Sequence, residues 1–347
     1  MEQHFPKMIP KHCEVCKKTD GLLRCGGCKT YYYCGREHQT ADRPTHRTTC
    51  KTIKDSRTKI EDEEAKIRAR PAYDLEMPVN VLDDPAHVGR LWTWQPVRPY
   101  LHEMLIRSWR QQGIEDALAV YLEILRLNIN DNQGARFLIP ALYMRLGRNQ
   151  EAYDFLKGWA LHAAGRPETK ELENPSLMYL HVKNADPTEG VDLWTGRFLQ
   201  LAFMSSIQLL KTRLGMGLDL ILEYRKALPP GAPIASPREI LADVHGPYCG
   251  DIIERFAESL VNEDAITKKR DEVDEQLADL FVATAKYNEH FWPMMLQPAE
   301  RDFSTRSLRY TFGSREEAHL AFTYTYPAWC ETPMALETLR ATVTARK

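Results

Sequence analysis

From Tyr100 to the end of the chain, apolar residues recur at helical spacing. Leu101, Leu105 and Trp109 stand at i, i+4 and i+8 before a stop at Gly113, and Ala117, Leu118, Tyr121, Leu122 and Leu125 form the next stripe. Asp131-Asn132-Gln133-Gly134 punctuates the pattern. A further helical stretch runs to Leu146 with Pro140 as an expected kink, and Gly147-Arg148-Asn149 precedes another. Long helical patterns then occupy roughly 193–228, 238–261 and 265–287, and a last pair covers about 315–327 and 332–344. Period-two alternation is almost absent beyond the first fifty residues, so residues 100–347 predict an all-α body of packed helix pairs.

Before Tyr100 the pattern differs. Residues 1–50 are rich in Cys, His, Lys, Tyr and Gly and poor in Leu, Ile and Val, so hydrophobic burial alone cannot hold them. The run from Lys51 to Arg70 is charged and free of Gly and Pro, which predicts a solvated helix or tether with Glu61-Asp62-Glu63-Glu64 on its exposed face. Pro71, Pro78, Pro85, Pro96 and Pro99 make the following stretch turn-rich. Three parts are expected: a finger at 1–50, a connection at 51–99 made of a charged helix and a Pro-rich linker, and a helical scaffold at 100–347.

With 43% hydrophobic and 27% charged residues over 347 positions, wholesale disorder and a fibrous repeat are excluded. A formal charge of -2 supplies no global attraction to nucleic acid or to an anionic membrane. No run reaches the ~18 uncharged apolar residues of a spanning helix, and the start has no apolar core for a secretory signal. The longest apolar stretch, Phe198 to Leu210, suits a buried helix instead.

The cysteines carry the chemistry. Cys13, Cys16, Cys25, Cys28, Cys34 and Cys50 fall in the first fifty residues, leaving Cys249 and Cys330 for the rest. With His38 and His46 they read Cys13-x2-Cys16-x8-Cys25-x2-Cys28-x5-Cys34-x3-His38-x7-His46-x3-Cys50. A two-residue gap lets both sulfurs of a pair reach one metal, and a separation of four puts both side chains of a pair on one face of a helical turn. Eight donors of this kind make two four-ligand zinc sites, closed shells that leave no position for an activated water. A disulfide framework would leave His38 and His46 at ligand spacing by accident. Spacing alone leaves the grouping open: sequential pairs give a four-cysteine site and a mixed site, interleaved pairs give each ion three cysteines and one histidine.

The segment 13–50 resembles a MYND-type zinc finger, through its ligand spacing, the Tyr33-Cys34 step and Gln39 after the sixth ligand. The resemblance implies interleaving: Cys13, Cys16, Cys34 and His38 on one zinc, and Cys25, Cys28, His46 and Cys50 on the other. It also implies a shallow groove for proline-rich peptides, with Gln39 as a partner contact. Two positions depart from the family pattern. His38 stands where cysteine is commonest, a competent exchange, and Arg43 occupies the place of a groove-lining Trp. Arg43 is therefore the substitution to test.

Other chemistry is poorly supported. Residues 1–50 carry a formal +4, which six thiolates and two zinc ions bring to about +2, too weak a field for a nucleic-acid reader. Tyr31-Tyr32-Tyr33 is expected to pack the finger's core rather than stack on bases. No Gly-x-Ser-x-Gly, P-loop or His-Glu-x-x-His motif is present. The cluster Asp243, His245, Cys249 and Asp251 is an alternative enzyme site, which a polar loop between helices explains as well. Cys330 beside Trp329 reads as a buried small residue.

In the body, Ala117 and Ala152 lie thirty-five residues apart in similar local sequence, near the period of about 34 of tetratricopeptide repeats. The stretch from Asp131 to Leu156, Asn288-Glu289-His290-Phe291, the run Tyr310 to Ala318, and Trp329 with Thr332 to Leu336 resemble a tetratricopeptide-like family related to the suppression-of-tumorigenicity group. The expected architecture is a small zinc-bound α+β finger followed by an all-α helical-repeat domain. The expected role is an intracellular, non-enzymatic adaptor of cytoplasm or nucleus whose partners are proteins or peptides, with neither membrane nor nucleic acid.

Overall fold

The computed structural model describes residues 12–71, 75–109, 114–163, 182–196, 200–229, 235–236, 239–240, 250–256, 260, 262–303 and 310–344. The finger opens with β1 (Leu23–Arg24) paired antiparallel to β2 (Tyr32–Tyr33), Leu23 opposite Tyr33 and Arg24 opposite Tyr32. Helix α1 (Arg36–Arg68) follows. The strands are short because the two Cys-x2-Cys turns, not a sheet, set the chain path here.

Helix α1 departs from the expected boundary at residue 50. The charged run is the C-terminal half of one helix that starts inside the finger, and its buried positions include His46, Ile53, Ile60 and Ile67, one every seventh residue. Two turns of helix span about seven residues, so all four lie on one face. Three isoleucines among so many charges leave the composition polar while supplying a complete seam. Ile53 belongs to the finger's small core with Cys13, Cys25, Cys28 and Tyr33, whereas Ile60 and Ile67 join the core of the body. The Pro-rich stretch is likewise not a bare linker: Met77, Val81, Leu82, Leu91 and Val97 are buried in that same core.

The helices of the body pack on their sequence neighbours. Helix α2 (Arg98–Trp109) contacts α1 and α3 (Ile114–Leu127), and α4 (Ile139–Arg145) contacts α3 and α5 (Asn149–Ala163). Pro140 lies in the first turn of α4 rather than kinking a longer helix, a place where its missing N–H costs no bond. Ala117 and Ala152 are each the fourth residue of their helices and both are buried. Beyond these two helix pairs the described elements do not continue a fixed period: α6 (Asp192–Thr195) is one turn, α7 (Leu201–Ala227) has 27 residues, α8 (Gly250–Ile253) four and α9 (Glu263–Tyr287) 25.

Helix α7 is the centre of the body. It packs against α9 and against α11 (Arg315–Glu331), and it is buried on nearly every side from Leu201 to Leu218. Its polar residues are satisfied internally: Ser205 Oγ donates to Thr325 Oγ1 at 3.0 Å, and Arg213 donates to Thr332 Oγ1, the Met144 carbonyl and Asn149 Oδ1. No helix of the described residues is long and apolar enough to cross a membrane.

The closing fragments of the chain meet in space. Glu317 accepts from Tyr287 Oη at 2.8 Å and from the Gly313 amide at 2.6 Å, while the Asn288 side-chain amide donates to the Ser314 carbonyl at 2.9 Å. Ser314 caps α11 by accepting from the Glu317 amide. Gly313 has φ +77, a left-handed conformation suited to glycine. Trp329 is fully buried edge-on to Trp292, the adjacent α10 (Phe291–Leu296) carrying the partner ring. Cys330, expected to be buried, is exposed, because the one-residue step from Trp329 turns it to the opposite side of α11, ahead of α12 (Ala335–Thr344).

Candidate metal centre

Two equivalent turns begin the finger. In Cys13-x2-Cys16 the Lys17 amide donates to the Cys13 carbonyl at 2.9 Å, and in Cys25-x2-Cys28 the Lys29 amide donates to the Cys25 carbonyl at 2.9 Å. Lys17 and Lys29 share a left-handed backbone, φ 61 and φ 58, so the chain curls back identically after each second cysteine. Cys34 follows β2, His38 lies in the first turn of α1, and His46 and Cys50 stand one turn apart further along it.

These eight donors form two groups, Cys13, Cys16, Cys34 and His38, and Cys25, Cys28, His46 and Cys50, with the donor atoms of each within 4.8 Å of one another. In the first, Cys16 and Cys34 Sγ are 3.5 Å apart, and His38 Nδ1 lies 3.4 Å from Cys13 Sγ and 3.0 Å from Cys34 Sγ. In the second, Cys25 and Cys50 Sγ are 3.7 Å apart and His46 Nε2 is 3.5 Å from Cys28 Sγ. Ligands ~2.0–2.3 Å from one tetrahedral zinc stand roughly 3.4–3.8 Å from each other, so both groups fit the ion. A disulfide needs sulfurs about 2.05 Å apart; all six cysteines are free. Residues 13–50 match the MYND finger family.

This segment is a MYND finger.

Its relatives by sequence agree over that segment. Egl nine homolog 1 of Mus musculus is 45% identical over 40 residues, which make up 12% of this chain and 10% of that protein. Egl nine homolog 1 of Homo sapiens is 42% identical over 40 residues, 12% of this chain and 9% of that protein. The chain thus matches about a tenth of these relatives' length, in the finger alone. No solved structure matches the chain.

The MYND finger surrounds its second donor group closely. A Cβ on Gly27 would stand 2.8 Å from Cys50 Sγ, so the turn requires glycine there. Arg57 Nη2 donates to the Gly27 carbonyl at 3.0 Å, and Gln39 Nε2 donates to Cys25 Sγ at 3.5 Å. Gln39, expected as a peptide contact, thus has its amide directed at a metal-binding sulfur, while Arg43 is exposed on α1. Tyr33 is buried and donates to Asp42 Oδ2 at 2.7 Å, and Tyr31 packs 4.0 Å from the His46 ring.

Electrostatics prepare one thiolate per group. Burial disfavours ionisation of Cys13 and Cys25, but hydrogen bonds from the amides of their own turns outweigh it and bring both down to about 6. Cys34, beside Cys16, and Cys50, through burial and Cys25, are pushed up to about 11. A zinc ion supplies the positive charge that makes four donors compatible with full ionisation of their thiols. Burial, aided by the Asp42 carboxylate, pushes the Tyr33 hydroxyl well above its ordinary value, so it stays a donor.

Elsewhere the structure offers less. An open groove of about 350 Å³ lies between α1, α2 and α3, floored by Ile60, Tyr100, Met104 and Val120. Its rim glutamates are each matched by an arginine: Glu61 by Arg57, Glu64 by Arg68 and Glu123 by Arg126. Charge therefore does not single out a ligand there. His245, Cys249 and Asp243 lie outside the described residues. Asp251, from the same cluster, accepts from the Gln150 amide at 2.8 Å and from Asn149 Nδ2 at 3.0 Å, which caps the N-terminus of α5.

Proposed function

We propose that the protein is a non-enzymatic adaptor in which a two-zinc MYND finger and a tetratricopeptide-like helical scaffold recruit protein or peptide partners inside the cell. The observation that carries this reading is the pair of complete N/S donor sets. Four protein ligands per zinc hold the metal as a fold-forming element, worth an apparent ~10–16 kcal/mol in fingers of this size, with no coordination position kept for a substrate. The six free thiols suit a reducing compartment, cytoplasm or nucleus. The helix pairs α2/α3 and α4/α5, with Ala117 and Ala152 at matching buried positions, support the scaffold reading. Arg43, exposed beside the donor groups, is the finger's candidate contact, and it would favour a partner with an acidic residue near its anchor.

The test is affinity capture by the intact chain. Cys13→Ser removes a ligand of the first zinc while leaving the helical body's circular dichroism unchanged, and partners held by the finger should be lost. Capture unaffected by both Cys13→Ser and Arg43→Glu would move recognition to the helices. Turnover traced to His245 or Cys249, abolished by His245→Ala or Cys249→Ala, would replace the adaptor reading with an enzyme.

A further inference from the structure

Helix α1 carries ligands of both zinc sites, but unequally. His38 sits in its first turn, whereas His46 and Cys50 lie beyond Pro44, which is inside the helix. Proline has no amide hydrogen, so the bond from position 44 to the carbonyl of residue 40 is missing, and order in the first two turns is weakly passed along. From His46 to Arg68 no Pro or Gly interrupts the helix.

That uninterrupted segment is one physical connector. Its buried face runs from His46, a ligand of the second site, through Ile53 in the finger's core to Ile60 and Ile67 in the body's core. Arg57, between Ile53 and Ile60, donates to the Gly27 carbonyl inside the Cys25–Cys28 turn, tying the same helix to the same site a second time. The second site is also the more enclosed. Cys25, Cys28 and His46 are buried, whereas in the first site only Cys13 is, and Cys16 is exposed.

We infer that the ion in the Cys25/Cys28/His46/Cys50 site is a structural part of the helical body, holding α1 against α2, whereas the ion in the Cys13/Cys16/Cys34/His38 site serves the finger alone. Arg57 is then a positioning residue that links the second site to the body without touching the metal. The inference concerns metal and fold, and it stands whether or not the finger is what captures partners.

The test uses the full chain as Cys16→Ser, Cys28→Ser and Arg57→Gln, with zinc counted by native mass spectrometry and amide exchange followed over 51–68 and 98–109. Cys16→Ser should retain one ion and exchange in both segments as the wild type does. Cys28→Ser should also retain one ion yet exchange there roughly tenfold faster or more, a sub-global opening of that flank. Arg57→Gln keeps all eight donors, so it should retain two ions and exchange several-fold faster over 51–68. Equal acceleration by Cys16→Ser and Cys28→Ser, or none by Cys28→Ser, overturns the inference. If Cys28→Ser does not fold, a two-zinc Arg57→Gln protein with wild-type exchange overturns it by itself.

Discussion

Arg145 on α4 and Glu331 at the end of α11 form a forked ion pair across 186 residues of sequence, with Nε at 2.9 Å and Nη2 at 2.7 Å from the two carboxylate oxygens. The side chains are only 14% and 9% exposed, so the pair is largely shielded from water. Removing one partner strands the other charge, which costs more than the pair itself contributes. Arg145→Ala is therefore expected to destabilise the body by about 3 kcal/mol, read from the urea midpoint at saturating zinc. A loss below about 0.5 kcal/mol would mean that water reaches the pair and screens it.

Glu317 offers a second test within the body. Its carboxylate holds Tyr287, the Gly313 amide and, at 3.4 Å, Asn288. Truncating it leaves buried donors unpaired, so Glu317→Ala should cost roughly 3 kcal/mol. Exposed Glu316, one residue away, should change stability by less than about 0.5 kcal/mol when truncated. Paired thermal melts compare the two, and similar losses would contradict the network.

Much of this was legible beforehand, for reasons that individual residues make plain. The eight zinc donors announce themselves because metal geometry dictates short fixed gaps between Cys13 and Cys16, Cys25 and Cys28, Cys34 and His38, His46 and Cys50. Their interleaving followed from the resemblance to a MYND finger, because spacing does not say which pairs share an ion. Helix α1 was read short: Ile53, Ile60 and Ile67 are seven apart, and twenty residues rich in charge hide a seam so thin. Met77, Val81 and Leu82 were taken for linker because prolines flank them, although a proline-rich path can still turn apolar side chains inward. The partners of Glu317 were invisible, since Asn288 and Gly313 approach it only through the tertiary fold.

Glycine dependence in the second turn gives a sharp contrast. Gly27→Ala would drive a methyl group to 2.8 Å from Cys50 Sγ, whereas a Cβ on Gly26 meets nothing within 4 Å. Displacing a ligand or its support commonly costs ~10–100-fold in metal affinity. Gly27→Ala should weaken one zinc by about that factor and leave the other unchanged, with Gly26→Ala close to wild type, measured by competition with a chromogenic chelator. Equal behaviour of the two variants would contradict the close approach of Cys50.

Proton release follows from the thiols. Metal binds the thiolate, and at neutral pH Cys34 and Cys50, pushed up to about 11, still hold their protons, while Cys13 and Cys25, near 6, have lost theirs. Zinc affinity should therefore rise with pH through neutrality and fall more steeply below about 6, where Cys13 and Cys25 also protonate. In the metal-free finger the depressed thiols favour folding fully above the ordinary value of 9.0 and lose that advantage as pH falls towards 6. The raised pair has the opposite sign, costing stability as pH rises from 9.0 towards 11. Zinc titrations from about pH 5 to 8 check the slope, and an affinity independent of pH would show that the thiols ionise before the metal arrives.

The interleaved finger is tested most directly by anomalous diffraction at the zinc edge from crystals of the full chain. The account predicts two peaks, one within bonding distance of Cys13, Cys16 and Cys34 Sγ and His38 Nδ1, the other of Cys25, Cys28 and Cys50 Sγ and His46 Nε2. A peak shared by Cys13, Cys16, Cys25 and Cys28, or sulfur bonded to sulfur among these six cysteines, would contradict it.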